Sequence, residues 1–105
     1  MPATTFIKPS HGDVRSIARV LMLTPPHKRD ELANTIVFEA AEANVHRLNT
    51  GRAHPAYGTG SIMSAALTRK AAPEPFFDDR DYIACTIIAL RAIDDALVLA
   101  EREAA

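Results

Sequence analysis

The side chains best suited to chemistry crowd into one stretch, His46 to Ser61, H-R-L-N-T-G-R-A-H-P-A-Y-G-T-G-S. It holds three of the four glycines and two of the four histidines, with two arginines and a tyrosine. A glycine-punctuated turn running into a helix start leaves backbone N–H groups pointing outward, a geometry suited to anions. Arg47, Arg52 and His54 would supply charge and donors to such a group. The amides around Gly58, Gly60 and Ser61 would cradle it, and Asn44 and Tyr57 would orient the loop. Residues 47–61 are therefore the expected recognition site. The spacing is neither G-x-x-x-x-G-K-S/T nor G-x-G-x-x-G after a strand, so no nucleotide site follows.

Other chemistry finds less support. His46 and His54 match no H-x-x-x-H or C-x-x-C framework, and the single Cys85 has no second thiolate, so neither a metal nor a cofactor is expected. Acid–base catalysis would require His54 and Tyr57 to meet Asp78, Asp79 or Asp81 in space. Capping of a following helix, with pairing to Arg47 or Arg52, explains those aspartates without catalysis. No serine or threonine sits in a nucleophile elbow. The first reading is thus a non-catalytic interaction or adaptor module, and a small enzyme using His54 beside an aspartate is an alternative.

The elements that must position this stretch are helical. Ala, Leu, Glu and Arg dominate, and β-branched residues never alternate with polar ones over a strand's length. The expectation is an all-α, compact four-helix domain spanning residues 1–105, with two long antiparallel helices at about 25–50 and 78–102 and two shorter ones at about 11–23 and 61–70. Met1 to Pro9 reads as an extended lead-in anchored by Phe6 and Ile7, and residues 103–105 as a frayed tail. Ser10 and Asp13 form a capping box for helix 1. Thr24-Pro25-Pro26 stops helix 1 and starts helix 2, with Thr24 as candidate cap, so the two should pack as neighbours. Helix 2 ends at Gly51, and Ser61 caps helix 3, in which Ile62, Ala65, Ala66 and Leu67 face inward. Phe76-Phe77 should plug the core, Asp78 cap helix 4, and Phe77 and Tyr82 occupy the hydrophobic-staple positions.

Both long helices carry more apolar surface than one face needs. In helix 2, Leu32, Ala33, Ile36, Val37, Ala40, Ala43 and Leu48 share a face, whereas Phe38 and Val45 lie one heptad apart on the far side. In helix 4 the main stripe is Tyr82, Thr86, Ala89, Leu90, Ile93, Leu97 and Ala100, and Ile88, Ala92 and Leu99 form a second. Phe38, Val45, Ile88 and Leu99 are either additional core or a surface for self-association or a protein partner. Asn44 and Arg47 fall within the apolar face of helix 2. Either Arg47 reaches solvent and the terminal carbonyls, or the two reach under the following loop and organise it or a ligand.

The net charge of −1 gives no global basic footprint, so nucleic acid is not an indicated partner, though a local patch is compatible with it. The lone Cys85 excludes an internal disulfide framework and reads as a small buried apolar residue. The N-terminus lacks a signal-peptide core, and Arg91, Asp94 and Asp95 interrupt the most apolar segment. No membrane association is expected, and the location should be cytoplasmic.

H-G-D near the start, T-P-P before helix 2, the His46–Ser61 stretch, and A-P-E-P-F-F-D-D-R-D-Y before helix 4 together resemble a small bacterial family of uncharacterised helical proteins, over about residues 11–96. The resemblance implies a compact all-α fold and no assigned activity. Two long antiparallel helices in a chain of this size are also similar in architecture to phage terminase small subunits. That likeness implies a homo-oligomeric DNA-packaging accessory subunit as a further alternative, although a helix-turn-helix reader ahead of the hairpin is absent.

Overall fold

The computed structural model describes residues 7–104; Phe6, the second expected anchor of the lead-in, lies outside them. The element order is α1 (His11–Leu21), a 3₁₀ turn (Pro26–Lys28), α2 (Arg29–Thr50), α3 (Ile62–Ala66) and α4 (Arg80–Ala104). Two helices are long and two short, as the apolar spacing and cap residues predict, and no strand occurs among the described residues.

Each boundary has a local cause. Ser10 and Asp13 form the expected capping box of α1: the Asp13 carboxylate accepts the Ser10 N–H at 2.8 Å and the Ser10 hydroxyl accepts the Asp13 N–H at 3.3 Å. The helix ends before Pro25-Pro26, and there Thr24 differs from expectation. Its hydroxyl donates back to the Val20 carbonyl and so closes α1, while the prolines form a 3₁₀ turn ahead of α2. Gly51 ends α2 with φ +72, and its N–H donates to the Arg47 carbonyl. The Ser61 hydroxyl accepts the Ser64 N–H and caps α3. α3 stops at Ala66 because Thr68 Oγ1 and Arg69 Nη1 both donate to the Ala65 carbonyl, turning the chain away and leaving Leu67 exposed.

The core is built from small and branched residues: Ile17 and Leu21 of α1, Ile36 and Ala40 of α2, Ile62 of α3 and Cys85 of α4 are all fully buried. α1 and α2 each pack against both α3 and α4, and meet each other less extensively. Arg29 at the start of α2 is joined to Asp81 at the start of α4 at 2.8 Å. The two long helices therefore begin side by side, which corrects the antiparallel packing expected for them. The cause is the segment after α3, which crosses back to the α1–α2 turn before α4 starts. Ala72 N–H donates to the Arg19 carbonyl at 3.0 Å, and Arg19 Nε donates to the Ala72 carbonyl at 2.7 Å.

That strap also corrects the role of the two phenylalanines. Ala72 is the buried residue of the connector, while Phe76 is 86 % and Phe77 67 % exposed. The small side chain fits the gap and the aromatic pair is pushed outward. Phe77 still meets Tyr82 as a staple, with ring centroids 5.3 Å apart. The cap of α4 is Asp79 in place of Asp78, its Oδ1 accepting the N–H groups of Asp81 and Tyr82. α4 is rotated so that Tyr82, Cys85, Ala89, Ala92 and Ile93 face the core; Leu90 and Leu97, expected inside, are exposed. Leu48 is exposed as well, near the end of α2.

Candidate functional site

The C-terminal turns of α2 and the loop after them make a single folded knuckle. Backbone exchange between His54 and Gly58 pins its base: the His54 N–H donates to the Gly58 carbonyl at 2.8 Å, and the Gly58 N–H returns to the His54 carbonyl at 3.2 Å. Inside this small hairpin, His54 Nδ1 accepts the N–H groups of Ala56 and Tyr57 at 3.0 and 3.1 Å. An acceptor Nδ1 places the imidazole proton on Nε2. The Tyr57 ring stacks on His54 at 4.5 Å, with planes 7° apart, and the His46 ring meets His54 edge-on at 5.1 Å.

The two loop glycines answer separate needs. Gly58 (φ +91) lies against Ser64, and Gly60 (φ +105) lies so close to α2 that an added Cβ would stand 2.8 Å from the Cα, Cβ and Oδ1 of Asn44. Gly60 is thus where the loop backbone rests on the helix. Its carbonyl accepts the Ile7 N–H, which ties the lead-in to the same point. Asn44 is buried, and its Oδ1 accepts Arg47 Nη2 at 2.6 Å. Asn44 therefore lies against the loop backbone at Gly60, with Arg47 bonded to it from one turn further along α2. Arg47 Nε, buried in the same place, has no hydrogen-bond acceptor among the described residues.

Of the amides expected to cradle an anion, those of Gly58 and Thr59 are engaged, by the His54 carbonyl and by Ser64 Oγ. The Thr59 N–H donates to Ser64 Oγ, the Ser64 N–H to Ser61 Oγ, and the Met63 N–H to Asp13 Oδ1 at 2.8 Å. From the sequence alone Asp13 is marked only as half of a capping box. Its carboxylate caps α1 with one oxygen and the first turn of α3 with the other, locking the two helix starts together. Fifty residues separate the partners, so no local signal marks this contact.

His54 and the aspartates before α4 are not brought together. His54 packs beside His46, whereas Asp81 is bound to Arg29, and about 26 Å of helix at 1.5 Å per residue separates those two positions of α2. Arg29 itself is almost fully buried; it donates Nε to the Thr24 carbonyl and both terminal nitrogens to Asp81. The hydrogen bond to Asp81 raises the guanidinium pKa, and the same bond lowers that of the Asp81 carboxyl. Cys85 is buried, and desolvation pushes its thiol upward, as for an inert core residue. No group of three or more metal-ligating side chains occurs among the described residues.

A second feature lies away from the loop. Val14, Phe77, Tyr82 and Leu90, with His11 and Thr86, line an open groove of about 310 Å³ between α1, the connector and α4. Burial raises the pKa of the Tyr82 phenol in its wall. The groove continues onto an outer face of α4, where Ile83, Ile87, Leu90, Leu97 and Val98 are exposed. Of the residues expected on an interaction surface, Phe38 and Leu99 are exposed, Val45 is half-buried, and Ile88 packs against the core.

The profile of a domain of unknown function, DUF7742, matches residues 8–93 of this sequence. The chain belongs to that family. The match covers nearly the span of the resemblance carried by the H-G-D, T-P-P and loop motifs, and the family is an uncharacterised one. Neither the curated proteins nor the solved structures contain a significant match to the chain. Among the described residues, no helix is long and apolar enough to cross a membrane.

Proposed function

We propose that this member of the DUF7742 family is a non-catalytic interaction module of the cytoplasm that docks a helix on the outer face of α4. One observation carries this reading. Ile83, Ile87, Leu90 and Leu97 are exposed at spacings of four, three and seven residues, the repeat of a helix–helix seam, on a helix whose opposite side already fills the core. Scattered exposed leucines need no explanation, whereas a stripe at this spacing, interrupted at Asp94, supports a surface for association. A buried, unreactive Cys85 fits a reducing compartment.

The test uses ¹⁵N-labelled protein titrated with a synthetic amphipathic helix built from Leu, Lys and Glu heptads. Amide shifts confined to residues 83–98 are expected, and a Leu90→Asp variant should lose them. Shifts elsewhere, or none at millimolar peptide, overturn the reading.

The loop supports a second contact, for an anionic group, and the observation favouring it is the buried Arg47 Nε without an acceptor. With the Gly58 and Thr59 amides engaged, side chains would carry most of the recognition: Arg47 and Arg52 by charge, His54 through Nε2–H, and Tyr57 through its hydroxyl. Inorganic phosphate should then shift the amides of residues 47–61. No shift at millimolar phosphate removes the anion reading and leaves the loop as a structural knuckle.

A further inference from the structure

We infer that the groove between α1, the connector and α4 is a binding site for a small monocarboxylate with an apolar body, the carboxylate held by Arg15 and the Tyr82 hydroxyl and the body by Val14, Phe77 and Leu90. This site is separate from the docking role of the outer α4 face and stands without it.

The first ground is a donor with nothing to donate to. Tyr82 is only 3 % exposed, and its backbone is engaged, the N–H by Asp79 Oδ1 and the carbonyl by Thr86 Oγ1. Its hydroxyl has no hydrogen-bond partner among the described residues. A hydroxyl in the wall of a groove must then be completed from the groove, by water or by a ligand. Burial raises the phenol pKa, Glu74 adds to the rise, and Arg15 and Arg19 oppose it, so the group is protonated at neutral pH and can donate.

The second ground is charge. Arg15 and Glu74 face each other across the groove at 3.6 Å, too far for a hydrogen bond, and both side chains are about half-exposed. The Arg15 guanidinium therefore has no hydrogen-bond acceptor among the described residues. Arg19 acts on the same phenol from α1, with its Nε engaged by the Ala72 carbonyl. Two guanidiniums against one carboxylate leave a positive charge beside the free donor. That pairing suits an anion with acceptor oxygens, and the planar fork of an arginine matches a carboxylate. An amine would meet the two arginines and be repelled.

Shape sets the remainder of the ligand. About 310 Å³ is at the lower end for small-molecule sites, and a helix, about 10 Å across with its side chains, does not enter it. The Phe77 ring lies 5.3 Å from that of Tyr82 and is still 67 % exposed. With Val14 and Leu90 it gives an apolar wall from each of the three segments, enough for one ring or one branched chain.

Titration of the ¹⁵N-labelled intact protein with phenylpropionate tests this. Saturable amide shifts in residues 14–15, 74–77 and 82–90 are expected, with a dissociation constant in the low millimolar range or tighter for a ligand of this size. Tyr82→Phe removes only the hydroxyl and should weaken binding about fivefold, and Arg15→Gln should do at least the same. Glu74→Gln should tighten binding about twofold, because the carboxylate competing for Arg15 is gone. Phenylpropionamide, of the same shape without the charge, should bind more weakly than the acid.

No saturable shift at about 20 mM phenylpropionate overturns the inference. So does equal binding by the amide, or by both Tyr82→Phe and Arg15→Gln, since the groove then takes an apolar body alone. Weaker binding by Glu74→Gln would overturn the charge assignment, and shifts confined to residues 47–61 would move the carboxylate to the loop and remove this site. The docking reading is untouched by any of these results, because the heptad peptide reports on it separately.

Discussion

Arg29 and Arg47 stand on the same apolar side of α2, about five turns apart, and they are held in opposite ways. Arg29 is clamped by an acid from another helix, Asp81, and by the Thr24 carbonyl, so its three side-chain nitrogens all have acceptors. Arg47 has one neighbour of its own helix, Asn44, and a buried Nε with no acceptor. The difference extends to the backbone. At the Arg29 end, side-chain charge fastens α2 to α4. At the Arg47 end, a glycine lying on the helix surface brings the chain in, and side chains fill what remains. One end of α2 should therefore be sensitive to charge and tolerant of added bulk, and the other the reverse.

The strongest way to break this contrast is Gly60→Ala. A Cβ there meets Asn44 atoms at 2.8 Å, and φ is +105, a conformation that costs a non-glycine residue on its own. Loss of about 3 kcal/mol in urea unfolding is expected, with hydrogen exchange rising first in residues 54–64. A loss below about 0.5 kcal/mol would show that the loop can lift away from α2 without cost. Next comes Arg29→Met, which keeps the buried volume and removes the clamp. It should cost about 2 kcal/mol, moderated because Asp81 is half-exposed and can rehydrate once freed.

Acid should reveal the same clamp. The Asp81 pKa is lowered in the fold by its hydrogen bond to Arg29, so the unfolded chain takes up that proton more readily. The stabilisation is then full above the unfolded carboxylate pKa of about 3.9 and drains away as pH falls through the lower folded value. Unfolding midpoints followed from pH 6 to 2 should show a steeper fall for wild type than for Asp81→Asn. Identical slopes would mean that the bidentate contact contributes nothing in solution.

How much of this was visible in the residues alone follows the same division. Local chemistry was legible: the Ser10–Asp13 box, the Gly51 cap, Ser61 before α3 and the proline break are written within a few residues of where they act. So was the crowding of Asn44, Arg47, Gly58 and Gly60 into one place, because consecutive chain must stay together. What could not be read were contacts across the fold. Nothing near Arg29 in sequence points to Asp81, and Asp13 already has a local partner in Ser10 that hides its contact with Met63. Periodicity also failed to choose between two apolar faces of α4. The face rich in alanine, with Cys85, Ala89 and Ala92, turned inward because small residues let helices approach, and Leu90 and Leu97 were left outside. Direction was misjudged for a related reason: a connector as long as residues 67–79 can carry the chain back to either end, and only the Arg19–Ala72 strap decides which.

The smallest expected effect belongs to Arg47→Met. Removing a guanidinium that is fully satisfied loses its bonds, but removing one whose Nε is already buried without an acceptor also relieves a desolvation cost. The two terms oppose each other, and Asn44 Oδ1 is the group left wanting. A change in stability within about 0.5 kcal/mol of zero is expected, against about 2 for Arg29→Met. Should Arg47→Met match Arg29→Met in cost, Nε must acquire an acceptor in solution and the two ends of α2 would be alike. Should it prove neutral while abolishing phosphate-induced shifts in residues 47–61, the arginine is retained for what it binds and not for what it holds, the state of affairs in which an unsatisfied buried donor makes physical sense.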